Sequence, residues 1–171
     1  MPFVYRNGAL AADTWAQLGA DDALPADGEA VLPLARWLAL ATDAERARFG
    51  ISTTATEVGE PRLASLTSAP LIVLTLPSFT DGRVYSLARL LREAHGYTGE
   101  LRAAGDVLLD QIPLLARCGF DSFLVTHSPT LEALQRGHLA ALTTSYQRSF
   151  GDASTSLRPT LQRAPRQESA A

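Results

Sequence analysis

Residues 69–79, APLIVLTLPSF, constrain this chain more than any other stretch. From Leu71 to Leu76 six consecutive residues are apolar or Thr, without the alternation of a strand whose one face meets water. A run of this kind belongs in the middle of a parallel sheet covered on both sides, so the flanking segments are read for the helices that such a sheet requires.

Upstream, EAVLPL (29–34) reads as a short strand and ARWLALATDAERARFG (35–50) as one helix or two short ones, with Gly50 as a helix-ending glycine. ISTTATEV (51–58) is rich in β-branched residues and reads as a second strand, and EPRLASLTS (60–68) as a short helix with Pro61 in its first turn. Downstream of the central run, Val84, Leu87, Ala88, Leu91 and Ala94 recur at helical spacing while Ser86, Arg89 and Glu93 lie off that stripe. Thr80 or Asp81 is the expected cap of that helix and Gly96 its end. GELRAAG (99–105) is a further strand, with Asp106 as a cap before a helix over 107–119. Pro113 either kinks that helix or, if Asp110 is the effective cap, falls in its first turn. FDSFLV (120–125) is the last strand, and SPTLEALQRGH (128–138) a helix with Ser128 as cap and Pro129 at its first position.

The order is βα repeated about five times, which predicts an α/β fold with a parallel sheet and right-handed crossovers. A three-layer doubly wound domain suits five strands; a half or incomplete β/α barrel is the alternative, a full barrel needing roughly 200 or more residues. At 171 residues the chain holds one domain. It is expected over residues 29–142, after a loosely structured lead-in at 1–28 and before a polar, disordered tail at 143–171.

Composition excludes several classes. Net charge is −3, so no general attraction to nucleic acid or anionic lipid is expected. The longest apolar runs fall far short of the roughly 20 residues that span a bilayer, and the amino terminus lacks a signal-peptide pattern, which points to the cytoplasm. A single cysteine, Cys118, leaves no intrachain disulfide, no iron–sulfur cluster of the usual kind and no metal site to expect.

In either architecture a site forms at the C-terminal ends of the strands, which singles out loops 77–83, 104–106 and 126–128. In the first, Gly82 permits close backbone approach at a helix N-terminus and Arg83 adds a guanidinium, an arrangement fit for an anion; Asp81 can instead occupy the place itself as a cap. Arg89 and Arg92 follow on the same helix, Arg89 at i,i+4 spacing from Glu93, as a solvated face or a binding patch. Arg102 lies inside a strand and calls for a carboxylate partner from Glu93, Glu100 or Asp106. Asp106 and Asp110 are a cap and a first-turn acid, or a carboxylate pair. His127 follows a strand end, where an acid–base residue would stand. Cys118, before Gly119 at a helix C-terminus, has the setting of an inert buried thiol. No dinucleotide, phosphate-loop, zinc-protease or serine-nucleophile signature is present.

The segments DGRVYSLARLLRE, GYTGELRAAGDVLLDQ and RCGFDSF resemble the hallmark segments of a bacterial family known as domain of unknown function 934. The likeness is loose over residues 29–125 and close over 79–123. It retains Asp81, Gly82, Arg83, Tyr85, Ser86, Arg89, Arg92, Glu100, Arg102, Gly105, Asp106, Asp110 and Gln111, and departs from the pattern at Ser78, Val84, Leu109 and Pro113. Members are often encoded beside assimilatory sulfite reductase and carry the label of an oxidoreductase of sulfite reduction. The resemblance implies a role in sulfur assimilation, with sulfite reductase or its electron donor as partner and a small sulfur oxyanion as ligand. It supplies no catalytic residues. Sulfite reduction moves six electrons through haem, iron–sulfur or flavin centres, and the sequence offers none of their usual anchors. The expected role is therefore an accessory one without a cofactor. The alternative is an independent β/α enzyme or binding protein for a small anion, with Arg83 or Arg102 as clamp and Asp106 or His127 as acid–base.

Overall fold

In the computed structural model, which describes residues 3–78 and 81–139, the chain runs β1 (Phe3–Arg6), β2 (Ala9–Ala12), β3 (Ala16–Gln17), β4 (Ala30–Pro33), α1 (Leu34–Leu38), α2 (Asp43–Arg46), β5 (Gly50–Thr54) and α3 (Ala55–Val58). A 3-10 turn at Glu60–Leu66 leads to β6 (Leu71–Leu76), then α4 (Arg83–Arg89) with a π-helical extension Leu90–Ala94, β7 (Glu100–Gly105), α5 (Ile112–Arg117), β8 (Ser122–Val125) and α6 (Ser128–Gln135). The expected tail at 143–171 and Thr80 lie outside the described residues.

All eight strands join one sheet in the order β2-β1-β8-β7-β6-β5-β4-β3. From β3 to β8 each strand lies parallel to its predecessor, and β1 adds antiparallel to β8, with β2 antiparallel to β1. The α/β class stands, with a partly antiparallel sheet. Of the two expected architectures, the strand order selects the incomplete barrel. A doubly wound sheet reverses direction to place helices on both faces, whereas strands added always on the same side by right-handed crossovers collect their helices on one face.

The other face is covered by curling. β2 and β3 occupy opposite edges, and seven interstrand spacings would part them by about 34 Å in a flat sheet. Only Asp13, Thr14 and Trp15 connect them, and the four residue steps from Ala12 to Ala16 reach at most about 14 Å. The sheet must bend until its edges approach. Alternation in β6 shows the two sides: Ile72, Leu74 and Leu76 join the large core beneath the helices, while Leu71 and Val73 meet Val31, Ala104, Trp15 and Leu124 on the concave side.

Local chemistry explains several element boundaries. Thr42 with Glu45 and Thr54 with Glu57 form reciprocal capping boxes that open α2 and α3, so the strand expected over 51–58 stops at Thr54. Gly50 is the first residue of β5, where a Cβ would meet Leu71 and Val31 at 3.2 Å; it does not end a helix. Pro113 falls in the first turn of α5 after Gln111, the late start rather than the kink. The cap positions of α4, α5 and α6 are Gly82, Gln111 and His127, in place of Asp81, Asp106 or Asp110, and Ser128. Residues 1–28, expected to be loosely structured, supply β1, β2 and β3, because pairing with β8 and β4 supplies the order that their own pattern does not announce.

Candidate functional site

On the concave face, strand register places Arg6 opposite Ser122 and Ser122 opposite Arg102, making one polar row across β1, β8 and β7. Glu100 shares that face, two residues before Arg102, since side chains alternate along a strand. Asp13 joins them from the connection that crosses between the sheet edges.

The Arg102 guanidinium is 1% exposed and holds three partners: Nη1 donates to Asp13 Oδ1 at 2.8 Å, Nη2 to Glu100 Oε1 at 2.9 Å, and Nε to Ser122 Oγ at 3.2 Å. The Ser122 hydroxyl donates to Glu100 Oε1 at 2.5 Å, and Arg6 Nη2 to Glu100 Oε2 at 2.5 Å. Removing an ion from water costs several kcal/mol unless it is paired and hydrogen-bonded; here the pairing makes a series of alternating charge, Asp13, Arg102, Glu100, Arg6. Burial pushes the Glu100 carboxyl up, but the Ser122 hydroxyl and the Arg102 and Arg6 guanidiniums outweigh it and hold it below the ordinary carboxylate value.

Asp13, its side chain 1% exposed, also accepts the Trp15 N–H on Oδ1 at 3.2 Å. Its Oδ2 is buried and has no hydrogen-bond partner among the described residues. Beside it is a cavity of ≈ 280 Å³, lined by Val4, Arg6, Ala9, Ala11, Asp13 and Arg102, among others.

The candidates read from the sequence divide between this interior and the outer surface. Arg102 has Glu100 as its carboxylate partner, as expected, together with Asp13, which the sequence did not suggest. Arg92 is not part of a solvated face. Its side chain is 4% exposed, it donates to the carbonyls of Tyr97 (2.7 Å), Gly99 (2.9 Å) and Gly119 (2.9 Å) and to the Asp121 carboxylate, and it stacks over the Tyr97 ring. The long apolar stem and planar head let an arginine point inward where carbonyls converge.

Gly105, at φ +87°, admits no side chain, since a Cβ would lie 2.3 Å from the Leu76 carbonyl oxygen. Asp81 accepts from the Arg83 guanidinium through both oxygens at 2.8 Å and from the Arg83 N–H at 3.2 Å, so the loop answers its own charge. That bond is the main cause holding the Asp81 carboxyl low. Gly82 is exposed and at φ −73°. Ser86 is exposed and Arg89 pairs with Glu93 at 2.9 Å. Tyr85 is half-buried, its hydroxyl accepting from Gln111 Nε2 at 3.4 Å, and burial pushes its pKa up. Asp106 and His127 are exposed just beyond the C-terminal ends of neighbouring strands β7 and β8, His127 with Nδ1 at 2.9 Å from Thr130 Oγ1; Asp110 is exposed before α5. Asp13, Arg6 and Ser122 were missed. The first two sit in a segment with little pattern, and nothing local marks a carboxylate that will meet an arginine 89 positions away.

Among the described residues no group of three or more His, Cys, Asp or Glu could hold a metal ion, and no helix is long and apolar enough to cross a membrane. The family described as a bacterial protein of unknown function (DUF934) matches residues 50–157, which include Glu100, Arg102 and Ser122 but not Arg6 or Asp13. No curated protein and no solved structure matches the chain.

Proposed function

The chain belongs to that bacterial family of unknown function, and from this membership we propose that it is an accessory of assimilatory sulfite reduction, supporting sulfite reductase or its electron donor without carrying the redox centre. The sulfur-assimilation setting comes from the family resemblance, and a cytoplasmic location beside the reductase goes with it. The accessory role rests on one observation, the state of Cys118. Iron–sulfur clusters are held by about four thiolates, and the chain has one cysteine. Cys118 is buried at the C-terminal end of α5, where burial pushes its thiol pKa up despite the arginines at 89 and 117. A thiol in this state is a poor ligand and a poor redox nucleophile. Along α4 and its extension the exposed groups are polar, Arg83 (paired with Asp81), Ser86 and the Arg89–Glu93 pair, suited to a protein partner.

The test is the near-ultraviolet and visible spectrum of protein purified gently from its own host, combined with co-elution on sulfite reductase. The expected result is no chromophore band, and co-elution that is lost in Arg83→Ala combined with Arg89→Ala. A flavin, haem or iron–sulfur band stoichiometric with the chain would overturn the accessory role.

A second reading, an enzyme or binding protein for a small anion, draws on Asp106 and His127 just beyond the C-terminal ends of the neighbouring strands β7 and β8. Its clamp arginines are both already paired, Arg83 with Asp81 and Arg102 with Asp13 and Glu100. Calorimetric titration with sulfite separates the two: binding by the isolated chain that Arg83→Ala or Arg102→Met removes, the variants remaining folded, favours this reading.

A further inference from the structure

Asp13, Thr14 and Trp15 form a strap between the two sheet edges, and each end of it rests on an edge strand: β2, most of whose residues are exposed, and β3, which pairs with β4 through Ala16 and Gln17. The strap is held at each residue. Asp13 Oδ1 accepts from Arg102 Nη1 at 2.8 Å, the exposed Thr14 donates from Oγ1 to Glu29 Oε2 at 2.6 Å, and the half-buried Trp15 packs on the apolar cluster of Val31, Leu71, Val73 and Ala104. The bond from the Trp15 N–H to Asp13 Oδ1, at 3.2 Å, ties the carboxylate to the segment that carries the indole. Beneath the strap, Arg102 Nη1 has Asp13 alone as its partner among the described residues, while Nη2 and Nε hold Glu100 and Ser122. With Asp13 swung away, Arg6, Arg102 and Glu100 would leave one positive charge unanswered, and a buried cation calls for an anion. Arg102, Asp13 and Thr14 also line the cavity of ≈ 280 Å³, so a strap that lifts opens the guanidinium toward space that already exists.

We propose that Asp13 and Trp15 hold the place of a ligand: the concave face beneath the strap binds a small aromatic carboxylate, and the strap occupies that site until the ligand displaces it. The carboxylate takes the position of Asp13 on Arg102 Nη1, and the ring takes the position of the indole on Val31, Leu71, Val73 and Ala104. The cavity is close to the roughly 300 Å³ at which small-molecule pockets begin, which suits an acid of one or two rings rather than a peptide. Closure by the strap lowers the apparent affinity by the fraction of molecules in which it is lifted. The strap thus acts as an autoinhibitory contact. The proposal gives the second reading, with Arg102 as clamp, a ligand class and a gate.

Isothermal titration of the full chain with benzoate, phenylacetate and indole-3-acetate tests this, with acetate and indole as controls that carry only the charge or only the ring. The expectation is saturable binding of at least one aromatic acid and of neither control. Thr14→Val removes the bond to Glu29 while leaving Asp13 and Trp15 in place, and tightens that binding about threefold or more by loosening the strap. Arg102→Gln abolishes it. In protein labelled with 5-fluorotryptophan, the fluorine resonance of Trp15, assigned through Trp15→Phe, moves on addition of the acid while that of the fully buried Trp37 stays. Should Arg102→Gln fail to fold, Thr14→Val and the fluorine spectrum carry the test. Absence of binding by all three acids in both wild type and Thr14→Val overturns the proposal; so does binding that leaves the Trp15 resonance unmoved, or controls that bind as well as the acids. Binding of the peptide ADTWAQ but of none of the acids would likewise overturn it, by assigning the site to a protein segment. Sulfite binding without aromatic-acid binding would leave the second reading standing and this proposal lost, and the accessory role is read separately by co-elution.

Discussion

Asp13 and Arg102, 89 positions apart, meet at 2.8 Å inside the curled sheet with both side chains 1% exposed. The contact ties the connection between the sheet edges to β7, in the interior of the sheet, and so pins the bend that makes an incomplete barrel of an open sheet. Removing one member of such a pair strands a buried charge, at a cost of about 3–5 kcal/mol. Arg102→Met therefore destabilises more than Asp13→Ala, because it leaves the buried Asp13 carboxylate without its cation, whereas Arg102 without Asp13 still holds Glu100 and Ser122, and the double variant loses less than the sum of the singles. Urea unfolding of the three variants measures this; strict additivity would show that the two residues are not coupled.

Stability should fall on the acid side through Glu100. Its carboxyl is held below its ordinary value of 4.5 in the folded chain, so the folded state binds the proton less well than the unfolded one. The resulting stabilisation is present in full above pH 4.5 and is lost as the pH drops through the lower, folded pKa. Glu100→Gln should be less stable than wild type at neutral pH and show a shallower loss below pH 4.5. Unfolding free energies across the acid range decide it, and parallel curves would remove Glu100 from the explanation.

The two arginines on the helix after β6 should behave oppositely. Arg92→Lys keeps the charge but replaces a planar head that reaches three carbonyls and Asp121; a loss of about 2–4 kcal/mol is expected. Arg89→Ala removes a half-exposed i,i+4 pair and should change stability by about 0.5 kcal/mol or less. Thermal melts distinguish them. Only Arg89 is then a fair probe of partner binding, since a variant of Arg92 loses its partner by losing its fold.

Gly105 and Gly82 make a similar contrast. Gly105→Ala forces a Cβ toward the Leu76 carbonyl at φ +87° and should cost more than about 1 kcal/mol. Gly82 lies at φ −73°, and a methyl group added there would meet nothing within 4 Å. It accepts Ala without strain, for a change of about 0.4–1 kcal/mol in favour of the folded state. Any loss of partner binding in Gly82→Ala would then report on close backbone approach rather than on folding, and equal melting shifts in both variants would contradict the assigned backbone roles.

The sequence by itself determined the alternating parallel architecture from β4 to α6. An unbroken apolar run at 71–76, helical periodicity after residue 83 and glycines at 96 and 119, found at φ +63° and +107°, are local signals, each reporting the burial or backbone freedom of its own segment. They also marked Arg102 as an arginine in need of a carboxylate. Only the tertiary structure decided which carboxylates answer it, that Arg92 turns inward, and that residues 3–17 close the sheet as β1, β2 and β3. FVYR, ALAA and AQ are too short to carry a period, and they are ordered by pairing with strands far along the chain. The choice between a doubly wound sheet and an incomplete barrel was open for the same reason: periodicity tells which residues are covered, while strand order and curl, set by contacts distant in sequence, tell what covers them.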